Sequence, residues 1–342
     1  MRHQYISRET GQIFNETFFG DRAIRFLYSR VRENAPGLFK ILTGARISQC
    51  LGYLNYESFI GGKILGACNF LRTCGIDVAE CFEDPKQLDT IRKIFERKIR
   101  YWDCRPITND PGTAVSPCDA KMLYGSLSET SGLFIKGKFF DYDELIGRDK
   151  PRWRSTFADG DFALFRLTPD KYHYNHTPVA GKVVDFYPIS GACHSCHPHA
   201  VIASCTPYSK NKRVVTIINT DVPGGTQIGF VAMIEVVALM IGDIVQCYSS
   251  HQYDDPTPVG TGLFMKKGQP KSLFRPGSST VILFFEKGRI RFADDIVANM
   301  FTGGVQSLYN SGFDHHLVET DVKVRSWIGT ALGRTNPDWS LQ

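Results

Sequence analysis

Apolar positions recur at helical spacing early in the chain and in short strand-like runs later. Between Asp21 and Arg32 the stretch DRAIRFLYSRVR sets Ile24, Leu27, Tyr28 and Val31 on one face. Arg22, Arg25, Arg30 and Arg32 fall mostly elsewhere, which predicts an amphipathic helix. Asn34-Ala35-Pro36-Gly37 breaks the pattern and LFKILTGARIS resumes it. A second helix is predicted from Asp84-Pro85, a capping residue followed by proline at the first turn. It would carry Leu88, Ile91, Phe95, Ile99 and Trp102 as one core-facing stripe.

From about residue 106 the runs shorten, become β-branched and are punctuated by glycine, proline and asparagine. FALFRL (162–167), GKVVDFYPI (181–189), KRVVTIIN (212–219) and TVILFF (280–285) read as strands. The longest apolar run, Gly229 to Val245, contains Glu235 and Asp243 and is short for a membrane span. Two buried strands account for it better. The predicted fold class is α+β: a helical N-terminal region, 1–105, followed by a mostly β catalytic domain, 106–342. No internal repeat or low-complexity tract is present.

Charge and cysteine usage narrow the classes. The 342 residues carry a net charge of +5, without the concentrated basic stripe expected of a nucleic-acid binder. The basic helix fits an anionic membrane surface and, equally, docking on its own domain. The start, MRHQYISRETGQIFNE, lacks the apolar stretch of a secretory signal. Ten scattered cysteines do not resemble a small disulfide framework.

Residues 193–197 read CHSCH, and Cys193, Cys196 and His197 have the spacing of c-type haem attachment. That attachment normally follows export, for which no signal is seen. A zinc set of Cys193, Cys196, His197 and His199 has half of the usual ligand pattern, with no second CxxC or HxxxH after it. The segment therefore reads as a polar loop with reduced thiols and no metal. A haem- or metal-binding protein with an uncut chain stays open as an alternative of a different class.

Three stretches carry candidate chemistry: AVSPCDAKM (114–122), RLTPDKYHYNHTPVAGKV (166–183) and SLFRPGSSTVILFFEKG (272–288). They supply Asp119, His176 and Ser279, an acid, a base and a hydroxyl in that chain order. Such a set needs proximity in space: the histidine takes the hydroxyl proton and the carboxylate fixes its tautomer. On residue types alone the signal is weak, and no GxSxG elbow is present.

Taken together, these stretches resemble the phosphatidylserine decarboxylase family. VSPCD resembles its VxPxDG segment, YHYNHTPVAGKV its YHxxHxPxxGxV signature, and FRPGSSTVILFFEKG its GST processing site. IKGKFFDYDELIG (135–147) and TIRKIFERKIRYWDCRPI add to a likeness spanning roughly residues 65 to 325. Two departures are Gly277-Ser278, where Leu-Gly or Gly-Gly is usual, and Ala120 in place of glycine.

The resemblance implies a self-processing enzyme that makes a pyruvoyl group from Ser279. Ser279 Oγ would attack the Ser278 carbonyl with His176 as base and Asp119 orienting His176. The ester would leave by β-elimination, and hydrolysis of the dehydroalanine would give pyruvoyl and ammonia. The chain would part between Ser278 and Ser279 into β (1–278) and α (from 279) chains that stay associated. The substrate amine would then condense with the pyruvoyl carbonyl, an electron sink for loss of CO2. His173 is the candidate for assisting reprotonation or orienting the carboxylate. The implied reaction converts phosphatidylserine to phosphatidylethanolamine. The implied setting is a homodimer, peripheral on the cytoplasmic side of the cell membrane. Decarboxylation of a free aromatic amino acid, and a serine hydrolase using the same triad, remain as alternatives.

Overall fold

The computed structural model describes residues 2–18, 20–44, 47, 67–128, 139–204, 206–239, 243–276, 279–313 and 316–332. Ser278, with Gly277, lies outside them. The strands, numbered along the chain, begin with β1 (Gln4–Ser7), β2 (Ile13–Asn15), β3 (Thr113–Val115) and β4 (Ala120–Ser126). Next come β5 (Asp161–Leu167), β6 (Tyr174–His176), β7 (Gly181–Ile189) and β8 (Arg213–Asn219). They continue with β9 (Phe230–Val236), β10 (Ile244–Gln246), β11 (Phe264–Met265) and β12 (Pro270–Phe274). The last are β13 (Ser279–Phe285), β14 (Ile290–Phe292), β15 (Glu319–Val322) and β16 (Trp327–Ala331).

Among the described residues ten strands build one large sheet, in the order β11-β7-β8-β9-β13-β5-β4-β15-β1-β2. Its centre is β13, STVILFF, buried at every position. Pairing with β9 and β5 places Ile282 between Ile234 and Leu164. Covered on both faces, the strand is apolar without a break from Val281 to Phe285 instead of alternating. Two three-stranded sheets, β10-β12-β6 and β14-β16-β3, complete the body. The architecture is α+β, as the pattern predicts, and the run 229–245 does contain two strands, β9 and β10. Among the described residues no helix is long and apolar enough to cross a membrane.

Two of the helical expectations change. The N-terminal region does not begin as helix. β1 joins the large sheet parallel to β15 and forms a hairpin with β2, and helix starts only at Asp21. It runs as α-helix to Phe26, as a π-helical turn over Leu27–Val31, and as α-helix again to Asn34. The helix predicted from Asp84 is broken. Asp84 does cap a turn, accepting from Lys86 N–H, but Thr90 starts a new helix, Ile91–Phe95, and Tyr101–Cys104 is a third. Ile99 instead bridges to Cys81. The stripe residues Leu88, Ile91, Phe95 and Ile99 are all buried, so core packing overrides one continuous helical period.

The connectivity has one consequence for a cut before Ser279. β13 lies between β9 and β5, and β15 lies between β4 and β1. β13 and β15, two of the four described strands from Ser279 onward, are thus hydrogen-bonded on each side to strands that precede it.

Candidate active site

Ser279 is the first residue of β13, opposite Leu167 of β5. It is fully buried, and its Oγ makes no hydrogen bond among the described residues. Leaving a buried hydroxyl unpaired costs about 1–3 kcal/mol, so its retention calls for an explanation in function. The Cys196 thiol donates to the Ser279 carbonyl at 3.8 Å. One residue of the CHSCH motif, Cys196, therefore touches this residue.

Both histidines of the YHYNH signature are carried by the edge of the small sheet. Phe274, the last residue of β12, donates its N–H to the His173 carbonyl at 3.1 Å. His173 thereby sits where the chain leaves β12 for residues 275–278. Its ring packs on Phe95, centroids 4.6 Å apart. His176 stands at the other end of β6, paired with Pro270. Its Nδ1 lies 2.9 Å from the Gly268 carbonyl and its Nε2 3.0 Å from the Tyr172 hydroxyl.

A carbonyl only accepts, so Nδ1 carries the proton and Nε2 accepts from Tyr172. Tyr253 extends the chain, its hydroxyl 2.7 Å from that of Tyr172. Burial lowers the His176 pKa to about 3, leaving a neutral imidazole at pH 7. Gly268 makes this arrangement at φ 73°. A Cβ there would stand 2.4 Å from Ile107 Cδ1, so the position needs glycine.

Asp119 is not hydrogen-bonded to His176. Its oxygens accept from Arg105 Nε at 3.1 Å and Nη2 at 2.8 Å, and Oδ1 also accepts the Val324 N–H at 2.7 Å. Arg105 completes its fork on Glu80, 2.8 Å to each oxygen. Burial by itself would raise the Asp119 pKa, but Arg105 holds it down to about 2. Asp119 reaches His176 through its field, raising that pKa while Arg105 lowers it. The expected acid–base–hydroxyl relay is therefore not joined by hydrogen bonds among the described residues: Ser279 Oγ is unpaired, His176 is held by Gly268 and Tyr172, and Asp119 by Arg105. The reason is competition, because a guanidinium fork offers a carboxylate two charged bonds where an imidazole offers one.

Several polar groups emerge only in three dimensions. Lys271 Nζ donates to Glu235 Oε2 at 2.7 Å, and both side chains are fully buried. Asn175 donates to Ser272 Oγ and Glu235 Oε1, at 3.0 and 3.3 Å, and Ser272 also bonds Glu235. Glu235 pairs with Val281 across β9 and β13. This network thus ties the histidine-bearing sheet to β9, the strand paired with the one that Ser279 opens. A lone glutamate in the run FVAMIEV is the signal the sequence offers for it, and Arg105 and Tyr172 lie inside the family-like motifs, where residue type alone assigns them no role.

With this geometry in hand, likeness to known proteins becomes decisive. The sequence profile described as phosphatidylserine decarboxylase matches residues 91–301. The phosphatidylserine decarboxylase proenzyme of Fusobacterium nucleatum is 30% identical over 297 residues, 86% of this chain and 91% of its own. The chain belongs to the phosphatidylserine decarboxylase family. The proenzyme of Chlamydia pneumoniae is 29% identical over 301 residues, covering 88% and 92% of the two chains. A phosphatidylserine decarboxylase proenzyme 2 of Oryza sativa subsp. japonica is 31% identical over 228 residues, 66% of this chain and 34% of its own.

As a member of the phosphatidylserine decarboxylase family the protein is a carboxy-lyase. Neither the uncut haem- or metal-binding protein nor the decarboxylase of free aromatic amino acids finds support among these relatives.

Proposed function

We propose that this family member converts phosphatidylserine to phosphatidylethanolamine and CO2, using a pyruvoyl group that it makes from its own Ser279. The observation that carries the reading is the Ser279 hydroxyl, buried without a hydrogen-bond partner among the described residues, at the head of a central strand. An unpaired Oγ is free to attack the preceding carbonyl, and such an atom fits a residue that is consumed during maturation. The attack transfers the Ser278 acyl group from the Ser279 nitrogen to its oxygen. Loss of the Ser279 α-proton then expels the Ser278 carboxylate, and water releases the nitrogen as ammonia.

The group left at position 279 supplies an electron sink for decarboxylation. The protein's own residues do the rest. His173, beside the end of β12, is in this reading the residue that assists reprotonation or orients the substrate carboxylate. His176, neutral and with its proton fixed on Nδ1 by Gly268, is the base-competent imidazole, reached through Tyr172. Asp119 enters through Arg105, as an anchor for the corner that presents both. The processed chains, 1–278 and 279–342, would remain interlocked through β13 and β15.

The lipid substrate fits the segment Asp21–Leu42. It exposes Phe26, Leu38 and Ile41, at 61%, 49% and 57%, beside Arg22, Arg25, Arg30 and Lys40. Apolar side chains within a basic segment suit a peripheral position on an anionic leaflet, in this reading the cytoplasmic side of the cell membrane. A homodimer of processed protomers is the assembly the family resemblance implies.

Intact mass under denaturing conditions tests the core of this reading. Two species are expected, one ending at Ser278 and one beginning with pyruvoyl in place of Ser279. Ser279→Ala should give one uncut chain that is no less stable than the parent, because the orphan hydroxyl is gone. An uncut parent, incubated under folding conditions and inactive on phosphatidylserine vesicles, would refute it.

A further inference from the structure

The two histidines after Cys196 turn away from the thiols. His197 and His199 flank Pro198 at the start of helix Pro198–Ala203, with rings 5.4 Å apart and 18° from parallel. Both face Asp21, the first residue of helix Asp21–Phe26. His199 Nδ1 lies 3.1 Å from Asp21 Oδ1, and His197 Nε2 lies 3.6 Å from the same oxygen. All three atoms are buried, and none makes an aligned hydrogen bond among the described residues. Asp21 Oδ2 is turned to Arg25, 3.7 Å away, so Oδ1 is the oxygen left for the imidazoles.

Three buried polar atoms within 4.8 Å of one another, joined only by these unaligned contacts, are better satisfied by a group that bonds to all of them. Tetrahedral bonds of about 2.0–2.2 Å to zinc set nitrogen and oxygen ligands about 3.4 Å apart. The 3.1 and 3.6 Å separations bracket that spacing. An imidazole ligates through the lone pair of its unprotonated ring nitrogen, and His199 Nδ1 and His197 Nε2 are the ring nitrogens turned to Asp21. Phe18 covers them, its ring 4.3 Å from His197 and 6.0 Å from His199. The comparable group of His3, Glu16 and Glu319 has no such vacancy of bonding. Arg166 already donates to both of its carboxylates.

We propose that Asp21, His197 and His199 form a site for one divalent cation of the zinc class, with the remaining position open to water. His197 Nδ1 accepts the His199 backbone N–H at 3.3 Å. Ligation through Nε2 moves the imidazole proton to Nδ1, so loading exchanges that long cap for a metal bond. A bound ion would pin the N-terminal segment to the loop whose Cys196 touches the Ser279 carbonyl. This site is separate from the decarboxylation machinery and stands whether or not the chain is processed.

The test uses the full-length, untagged protein, stripped with chelator and titrated with Co2+, then with Zn2+. One equivalent of Co2+ should give the visible absorption of a four- or five-coordinate ion, Zn2+ should displace it, and Zn2+ should raise Tm. Asp21→Asn and His199→Gln should each lose the band and the Tm rise, while His251→Gln, an exposed imidazole, should keep both. Metal-free Tm values identify a variant that has failed to fold, and the other variant then decides. No band in the parent, or the same band in both variants, would overturn the proposal and leave an ordinary histidine–carboxylate contact.

Discussion

Arg105 grips both oxygens of Asp119, from 3.1 and 2.8 Å, and no hydrogen bond joins that carboxylate to His176. The pair is buried, with Glu80 as the second partner of the guanidinium. Removing one member of such a pair strands the other charge away from water.

Asp119→Asn is therefore expected to lower stability by roughly 3 kcal/mol, and Arg105→Gln by a similar amount. In the double variant the losses should fall short of the sum by about 1–3 kcal/mol. Urea unfolding of the four proteins measures this. Additive losses, with self-cleavage abolished in Asp119→Asn alone, would show that the carboxylate serves His176 directly.

Gly268 sets the His176 tautomer by placing its carbonyl 2.9 Å from Nδ1. Gly268→Ala should destabilise by about 1–2 kcal/mol from the left-handed backbone alone, and more from the contact with Ile107. Displacing that carbonyl should also slow chain cleavage, read from the time course of the two fragments. Cleavage at the parental rate would mean that this carbonyl does not govern the base.

Acid should weaken the fold early. The ordinary imidazole pKa is 6.5, but burial lowers His176 to about 3 and His194 and His197 to about 4. Below pH 6.5 the unfolded chain takes up protons that the folded chain refuses, so stability falls as pH falls from about 6.5 toward 4. Each such group contributes up to about 1.4 kcal/mol per pH unit. Above pH 7 these groups leave the curve flat. Asp119 adds to the loss only at lower pH, between the usual carboxylate range and its own value of about 2. Tm between pH 7.5 and 5 checks the first part, and His194→Gln should flatten it.

Much of this was already present in the linear chain. The runs 181–189 and 280–285, the split of 229–245 into two strands and the placement of Ser279 at a strand's head follow from local pattern: β-branched and aromatic runs bounded by turn residues, apolar at every position from Val281 to Phe285, where the strand is buried on both faces. The family motifs likewise need only residue types at fixed spacing. Tertiary structure decided the rest, and in each case a distant partner is the cause. Residues 4–7 are strand because β15, more than 300 positions later, offers an edge for pairing. The stripe from Leu88 to Ile99 breaks because Cys81 draws Ile99 into a bridge. Asp119 belongs to Arg105 and His176 to Gly268 because a buried charge or imidazole takes whichever donor or acceptor the fold brings closest. The CHSCH motif divides for the same reason. Its thiol at 196 meets the Ser279 carbonyl, while His197 and His199 meet Asp21, and no spacing within those seven residues encodes partners that lie some 80 and 170 positions away.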